Sequence, residues 1–489
     1  MSSLCRSGNY SNKGGLGVGT SRNKIAVIAA LTTTLWPTYA LPQQGGAGAG
    51  GLQFDIGVSS TMKVDDNFTL IPNSLGTTTI WDNKFDFNLS SVTSVHNLNL
   101  HASTVLRYAE FPGRKTSGLE DPNLRLNYTT GNSNSNLALD ARYRRVDREF
   151  LNPFAVEQDE IDPTVDLLGG GGNVTTRRAG LTFQTGINDP LGFTLALRHD
   201  DKSYSGIGAL PPATQARLFD TETDRINATV TMRISPVTQF RVNGGLTKYD
   251  AEDSVLTDRT TQDYAIGVVQ DINPVLVLDA QIGYTDVETI TTGGTAQRTS
   301  TTGAVTLTQT LANGTVFGSV NSTLNQNGTR ATFRFGRSLQ LASGSFAGSL
   351  GATRGPGGDN QVVAALSYNR QINNSSDIQI TLDRSASTNN SSEDVLDTRL
   401  GVNYGYTIDN LSRIDLTMNV ARSENIDNST APTIDRQSFR ASYTRSLTPD
   451  WNLTGGFQLR NKKDSTVAAG SARSNSIFLT LDRTFSFRP

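Results

Sequence analysis

The sequence predicts an all-β fold, a transmembrane antiparallel β-barrel of the up-and-down type, and three observations support it. Between Phe54 and Phe487, strand-length stretches of alternating apolar and polar residues recur about twenty times. The connections between them are alternately tight and long. Hydrophobic residues make up only 36% of the 489 residues, which suits a wall that needs apolar residues only on its lipid face.

Residues 1–40 have the pattern of a secretory signal peptide. They contain basic residues and no acid, an apolar run over residues 25–35 and a small residue, Ala40, at the end. The apolar run is too short to span a bilayer, as expected for a signal that is removed. We therefore expect a flexible leader over residues 41–53 and the barrel over residues 54–489.

Each predicted strand carries its apolar residues at every second position, which places them on one face. The first strand does so with Phe54, Ile56 and Val58. Later sets include Leu98, Leu100 and Ala102; Leu137, Leu139, Ala141 and Tyr143; Ile226, Ala228, Val230, Met232 and Ile234; and Val362, Ala364, Leu366 and Tyr368. The pattern predicts about 22 strands, and roughly 16 to 24 are compatible with it. Beyond residue 40 no apolar run reaches the roughly 18 residues of a membrane-spanning helix.

The connections predict the orientation of the barrel. Turn-forming residues occur at Asn188-Asp189-Pro190, Ser235-Pro236, Asn273-Pro274, Asn313-Gly314, Asp409-Asn410 and Thr448-Pro449-Asp450. Longer polar segments alternate with them, at 201–221, 250–260, 287–298, 354–360, 387–397, 423–434 and 462–474. Outer-membrane barrels have short periplasmic turns and long extracellular loops. We therefore expect an even number of strands and both termini in the periplasm.

Charged residues occupy the positions that alternate with the apolar face, and in a barrel these positions face the lumen. The predicted pore-lining residues are Arg125, Arg142, Arg144, Arg198, Arg225, Arg233, Arg241, Arg334, Arg399, Arg413, Arg440 and Arg460. Acids on the same face are Asp86, Asp140, Asp200, Asp279, Asp377, Asp383, Asp415 and Asp482. One interpretation is a conduit for anionic or hydroxyl-rich solutes, because guanidinium groups bind carboxylate and phosphate bidentately. The alternative is a structural ladder of Arg–Asp pairs that braces the inner wall.

The longest irregular segment, about residues 148–176, follows the fifth predicted strand and is acidic. Its constriction-loop candidates are Glu157, Asp159, Glu160, Asp162 and Asp166. In general diffusion porins a loop at this place folds inward and narrows the pore, with acids facing wall arginines. This segment is similar in position and charge, and would face Arg142 and Arg144. An ordinary acidic surface loop is the alternative.

Composition argues against several other functions. Without residues 1–40 the basic count falls from 43 to 39 against 45 acids, a formal charge of −6, which does not suggest nucleic-acid binding. The single cysteine, Cys5, precedes the apolar run of the signal, so we expect no disulfide and no thiolate metal site. His96, His101 and His199 occur without a catalytic or zinc-binding motif. We therefore predict no enzyme activity, metal site or cofactor.

Two polar motifs leave a second interpretation open. His199-Asp200 near a strand end could belong to an outer-membrane hydrolase, although such a pair on a surface is usually inert. Asp65-Asp66-Asn67 could offer oxygen ligands to calcium, although a polar beginning of a loop explains it equally. The expected partners are outer-membrane lipid, the barrel-insertion machinery, and polysaccharide or small hydrophilic solutes.

Two segments carry a resemblance to a known family. They are Val64-Asp65-Asp66-Asn67-Phe68 at the end of the first strand, and Leu479-Thr480-Leu481 through Phe485-Ser486-Phe487-Arg488-Pro489 at the C-terminus. They resemble a family of outer-membrane β-barrel porins found beside exopolysaccharide genes in proteobacteria. The resemblance implies an outer-membrane barrel that passes polysaccharide outward, and it supplies no catalytic residues.

Three functions therefore remain open. The leading one is a porin-like channel for hydrophilic solutes, with exopolysaccharide export as its specific form. The others are an outer-membrane barrel hydrolase and a secreted β-solenoid adhesin, although a solenoid should repeat at a fixed period. A siderophore-type receptor needs a folded plug before the first strand. With only residues 41–53 available there, we expect a lumen that is open, filled by inward loops or filled by a partner.

Overall fold

The computed structural model describes residues 51–151, 171–389, 392–426, 433–465 and 470–488. They form a barrel of 22 strands. The strands are β1 (Leu52–Asp65), β2 (Thr78–Val92), β3 (His96–Phe111), β4 (Arg114–Gly131), β5 (Ser135–Asp147), β6 (Asn173–Thr185), β7 (Leu191–Ser205), β8 (Thr221–Ser235), β9 (Thr238–Ala251), β10 (Asp258–Asn273), β11 (Leu276–Thr291), β12 (Gly294–Leu311), β13 (Gly314–Asn325), β14 (Gly328–Leu341), β15 (Gly344–Arg354), β16 (Asn360–Asn373), β17 (Ser376–Thr388), β18 (Asp394–Asp409), β19 (Ser412–Asn425), β20 (Ile434–Ser446), β21 (Trp451–Asp464) and β22 (Ser471–Phe487).

Two short helical turns interrupt the connections: a 3-10 turn at Arg148–Phe150 after β5, and α1 (Pro212–Gln215) between β7 and β8. No helix in the described part of the chain is long and apolar enough to cross a bilayer. The predicted signal peptide, residues 1–40, lies outside the described residues. Residues 41–50 of the predicted leader 41–53 also lie outside the described residues. Strand β1 begins at Leu52, two residues before the predicted start at Phe54.

The barrel closes because the first and last strands pair with each other. Phe54 on β1 lies opposite Phe487 on β22, and Asp65 lies opposite Ser476. Each strand is also antiparallel to its sequence neighbours, as in the pairing of β1 with β2. This confirms the predicted antiparallel up-and-down barrel and its strand number. The β-solenoid alternative is wrong, because a solenoid stacks successive coils and does not return its last strand to its first.

Connections at the two ends of the barrel differ in length. At one end, here called the short-turn end, they comprise residues 93–95, 132–134, 186–190, 236–237, 274–275, 312–313, 342–343, 374–375, 410–411 and 447–450. The predicted turn residues all fall at this end. Gly314 shows why residue type matters there: its φ is +145°, and a side chain would collide with the carbonyl oxygen of Ser338.

At the opposite, long-loop end the connections comprise residues 66–77, 112–113, 148–172, 206–220, 252–257, 292–293, 326–327, 355–359, 389–393, 426–433 and 465–470. The predicted long loop at 287–298 is wrong. Strands β11 and β12 continue through it and are joined by Thr292 and Gly293 alone. A polar segment rich in threonine resembles a loop by hydropathy, yet threonine favours strands, so the hairpin extends past the apolar part of the wall.

The apolar residues form an exposed belt around the barrel. Tyr264 and Ile266 on β10, Ile282 and Tyr284 on β11, Phe333 and Phe335 on β14, and Ile477 and Leu479 on β22 are between 49% and 68% exposed. Side chains of this size are not left uncovered in water on such a scale. The belt therefore fits the hydrocarbon of a bilayer.

Buried apolar clusters lie near the long-loop end. One consists of Phe68, Ile80, Ala109 and Phe111, with Phe150 packed against it. A second consists of Val146, Leu151 and Val174 with Tyr204, and a third of Leu210 and Leu218 with Tyr204 and Ile207. The first two clusters join wall strands to residues of a long connection. The third joins two parts of the connection 206–220 and packs against Tyr204 of β7. The core of this protein therefore sits where its loops fold against the wall.

Candidate functional site

Ser392 and Glu393, which directly precede β18, reach across the mouth of the barrel at the long-loop end. The Ser392 hydroxyl accepts hydrogen bonds from Arg259 Nη2 at 3.2 Å and from Gln326 Nε2 at 3.4 Å. Arg259 is on β10, and β11 to β17 lie between it and β18 around the ring. The contact therefore spans the lumen and does not follow the wall. It also identifies the face of β10 that carries Arg259 as the inner face.

A second contact joins nearly opposite points of the ring. Arg217, just after α1, places Nη2 3.3 Å from Glu393 Oε2. Arg217 lies between β7 and β8, whereas Glu393 lies between β17 and β18. We call the segment Ser392–Asp394, together with its partners Arg217, Arg259, Gln326, Asn327 and Arg330, the mouth bridge.

Asp394 anchors the mouth bridge to the wall. Its side chain is 1% exposed and lies 2.8 Å from Arg330 Nη2 on β14. The Asp394 carboxylate also accepts hydrogen bonds from Thr388 Oγ1 at 2.6 Å and Asn327 Nδ2 at 3.1 Å. Asn327 Nδ2 also donates to the Ser392 carbonyl oxygen at 2.8 Å. A carboxylate this buried depends on these partners, so the bridge is held firmly at this point.

A second inward structure forms from the β1–β2 connection. Phe68 packs on Phe111 and Phe150, with ring centroids 5.7 Å and 5.0 Å apart. The guanidinium of Arg107 stacks over Phe150 at 3.5 Å while Arg107 also pairs with Asp82 at 2.8 Å. Aromatic packing and cation–π contact both stabilise this arrangement. The rings therefore pack against β2 and β3 near the long-loop end.

The seam of the barrel carries a buried ionic network beside those rings. Asp65, whose side chain is 0% exposed, lies 2.8 Å from Arg460 Nη2 and 3.2 Å from Lys63 Nζ. Its carboxylate also accepts hydrogen bonds from Ser474 Oγ at 2.7 Å and from the Asn67 backbone N–H at 3.0 Å. This seam network ties β1 to β21 and β22. Because Asp65 pairs with two cations, its motif serves closure of the barrel and the calcium interpretation is unnecessary.

All the predicted pore-lining arginines lie in strands, on the face opposite the exposed belt. Several form the ion pairs that the structural alternative expects: Arg144 with Asp121 (3.1 Å), Arg198 with Asp200 (2.8 Å), Arg225 with Asp200 (3.5 Å), Arg241 with Asp279, Arg413 with Asp377 (2.9 Å) and with Asp415 (2.7 Å), and Arg460 with Asp65 (2.8 Å). Arg233 instead donates to the carbonyl oxygens of Gly186 and Asp189 in a turn. Arg440 stacks over Phe478. Arg125, Arg142, Arg334 and Arg399 lie on β4, β5, β14 and β18.

The sheet register gathers four of these arginines, together with Arg178, into a basic stripe on β4 to β8. Arg125 lies opposite Arg142, Arg142 opposite Arg178, and Arg198 opposite Arg225. Asp200 is shared by Arg178, Arg198 and Arg225, at 2.7, 2.8 and 3.5 Å. Three guanidinium groups on one carboxylate leave an excess of positive charge there. Arg178 was not among the predicted residues, because only the register shows that it continues the row.

The constriction-loop candidates Glu157, Asp159, Glu160, Asp162 and Asp166 lie outside the described residues. Their inward position stays a prediction. In the described part of the chain, the contacts at the mouth come instead from Phe68 after β1, from Arg217 after α1, and from Ser392 and Glu393 before β18. Sequence inspection did not identify these, since their inward direction depends on contacts between residues hundreds of positions apart.

His199 and Asp200 point to opposite faces of β7, as neighbours in a strand do. His199 Nδ1 lies 2.8 Å from Asp224 Oδ1 on β8, whereas Asp200 faces the basic stripe. His199, Glu222 and Asp224 offer ligand atoms within 4.8 Å of one another and could hold a metal ion. The absence of a metal site stays a prediction, and this group is brought together only by the pairing of β7 with β8.

Comparison of the whole fold with solved structures finds similar barrels in bacterial iron transporters and ferric siderophore receptors. Similar structures are the FrpB iron transporter from Neisseria meningitidis (TM-score 0.56, 8% identity, 90% of this chain and 83% of that chain) and BauA, the ferric preacinetobactin receptor from Acinetobacter baumannii (TM-score 0.54, 10% identity, 89% and 80%). A variant of the ferric enterobactin receptor PfeA from Pseudomonas aeruginosa is also similar (TM-score 0.52, 8% identity, 90% and 81%). The chain has the fold of outer-membrane barrel receptors.

No family model and no curated protein matches the chain. Membership of the porin family found beside exopolysaccharide genes therefore stays a prediction. Identities near 10% show a shared fold and do not show a shared ligand or mechanism.

Proposed function

We propose that this protein is a transport channel of the bacterial outer membrane for hydrophilic solutes. The proposal rests on one observation: the closed wall of the barrel has two chemically different faces. One face presents the exposed apolar belt, and the other presents guanidinium and carboxylate groups. A barrel with this arrangement has a lipid-facing outside and a hydrated inside.

Orientation follows from the lengths of the connections. The short-turn end faces the periplasm and the long-loop end faces outward, as in outer-membrane barrels generally. Both termini then lie in the periplasm, because β1 begins and β22 ends at the short-turn end. The mouth bridge and the aromatic rings lie at the outer opening, where they narrow the route.

The basic stripe supports an anionic or hydroxyl-rich solute. Guanidinium groups bind carboxylate and phosphate oxygens with planar, bidentate geometry. A charged lumen of this kind raises the local concentration of an oppositely charged solute. We infer that the cargo is saccharide and that export of an anionic exopolysaccharide is the specific role, in keeping with the resemblance of the chain ends to porins found beside exopolysaccharide genes.

The titles of the similar structures name ferric enterobactin, ferric preacinetobactin and iron as the cargo of those proteins. They support transport as the class of function. For this chain, the lumen residues support a hydrophilic, anion-favouring route, and the resemblance of the chain ends supports a saccharide as the cargo.

Conductance in planar bilayers tests the channel function. The purified barrel should form channels, and an anionic polysaccharide should reduce their current because it occupies the lumen. An absence of channels in correctly folded, heat-modifiable protein would refute the proposal. A current that is insensitive to polysaccharide would refute the saccharide cargo alone.

Charge reversal in the basic stripe provides a selectivity test. Arg225→Glu should shift the reversal potential in a salt gradient toward cation preference, because it replaces a partly exposed cation of the lumen by an anion. The matched control is Arg177→Glu on the outer face of β6, where the arginine pairs with Asp201 at 3.1 Å. Equal reversal potentials for the two variants would contradict a conducting route along the stripe.

The acidic segment is tested in the same way. Replacing Glu157, Asp159, Glu160, Asp162 and Asp166 by lysine should shift selectivity toward anions if the segment narrows the pore. An unchanged selectivity would reject the constriction role and leave the segment as a surface loop.

A further inference from the structure

A cavity of about 490 Å³ lies beneath the mouth bridge, against the inner wall formed by β10, β11 and β12. Its lining includes Arg259, Arg298, Thr289, Asn327, Ser392 and Phe219. Clefts that bind small molecules span roughly 300–1,000 Å³. The cavity thus has the size of a binding site, and it lies on the route proposed for the solute.

The register brings two arginines to this cavity from both sides of β11. Arg259 lies opposite Thr289, and Arg298 lies opposite Val287. Positions 287 and 289 are successive inner-face positions, roughly 7 Å apart along the strand. Two guanidinium groups therefore flank one short stretch of the wall.

Neither arginine forms an ion pair with an acid within the described ranges. Arg259 donates to Ser392 and stacks on Tyr249 with its guanidinium 5.0 Å from the ring. Its Nε is buried and has no hydrogen-bond partner among the described residues. Arg298 is exposed to the cavity. These groups keep hydrogen-bonding capacity and positive charge that the fold itself does not use.

The lining contains one acid, Asp253, so the two guanidinium groups still leave a net positive charge in the cavity. Asp253 Oδ1 accepts hydrogen bonds from the backbone N–H groups of Val255 at 3.2 Å and Thr257 at 3.0 Å, and Oδ2 accepts from Thr257 Oγ1 at 2.7 Å. These hydrogen bonds stabilise the connection 252–257, in which Asp253 lies. The cavity presents cationic groups, hydroxyls, an amide and an aromatic ring.

We propose that this cavity is a binding subsite for a uronate unit of an anionic saccharide. Arg259 and Arg298 bind the sugar carboxylate, Thr289 and Asn327 bind its hydroxyl groups, and Phe219 packs on the apolar face of the ring. The mixture of donors with an aromatic ring suits a sugar acid better than a bare phosphate. The inference rests on the proposed channel function and adds the class of its solute.

Calorimetric titration of the full-length barrel in detergent tests the subsite, with a mannuronate trisaccharide as the probe and neutral mannotriose as the comparison. The uronate should bind and mannotriose should not. Arg298→Gln and Arg259→Gln should each weaken uronate binding by about tenfold or more, since each removes a charge-assisted contact. Arg298→Lys should retain more affinity than Arg298→Gln. The control Arg177→Gln, at the same end but on the outer face, should bind as the wild type does.

Heat-modifiable migration verifies that each variant is folded, and Arg298 is exposed enough that its replacement leaves the wall intact. No uronate binding, equal binding of mannotriose, or wild-type affinity in Arg298→Gln would overturn the subsite. Bilayer conductance separates this result from the channel function. Channels without uronate binding reject the subsite alone, whereas uronate binding without channels rejects the channel and keeps the subsite.

Discussion

Replacing Asp65 by alanine is expected to destabilise the barrel by about 3–5 kcal/mol, the usual cost of removing one partner from a buried ion pair. Asp65 is fully buried and pairs with both Arg460 and Lys63. Without it, two cations remain close together at the seam with no compensating charge. In heat-modifiable migration, the temperature at which the protein changes from its folded to its unfolded gel position should fall clearly.

The matched control is Asp55→Ala on the same strand. Asp55 accepts a hydrogen bond from Ser486 across the same seam, at 2.6 Å, but it lies at the more exposed short-turn end, so its removal should have a small effect. The double variant Asp65→Ala/Arg460→Met should recover part of the lost stability, because the uncompensated guanidinium is then gone. Equal transition temperatures for Asp65→Ala and Asp55→Ala would show that the seam does not depend on this network.

Asp394→Ala should open the mouth of the channel. The substitution removes the partner of Arg330 and the acceptor of Thr388 and Asn327, so the segment Ser392–Asp394 loses its anchor. Because the narrowest cross-section dominates the resistance of a pore, single-channel conductance should rise by about twofold or more. Single-channel recording in planar bilayers measures this directly.

Asp359→Ala provides the comparison for that experiment. Asp359 lies in the connection 355–359 at the same end, and its exposed side chain has no ion pair recorded in the described structure. Its replacement should leave conductance unchanged. If Asp394→Ala remains folded with wild-type conductance, the bridge does not limit the flow of ions and its role is structural only.

Much of the wall could be predicted because its pattern is local. The alternation of Phe54, Ile56 and Val58 reflects the two faces of one strand, and Asn313-Gly314 reflects the backbone conformation that one turn requires. Such features depend on residues within a few positions of one another. The strand number, the antiparallel order and the face of each predicted arginine followed from them.

The mouth could not be predicted because its contacts are not local. Nothing near Ser392 indicates that it meets Arg259 on the far side of the ring, and nothing near Asp65 indicates Arg460. The segment 287–298 shows the opposite difficulty. Its polar composition matched a loop, yet pairing with a neighbouring strand was enough to extend the hairpin through it.

By itself, the sequence determined a closed wall with an apolar outer face, a charged inner face and short turns at one end. It could do so because strand periodicity and turn chemistry act over a few residues. Only the tertiary structure decided which arginines adjoin, which acid they share, and which connections cross the mouth above the cavity of Arg259 and Arg298. Those contacts arise when the ring closes and brings distant segments within hydrogen-bonding distance.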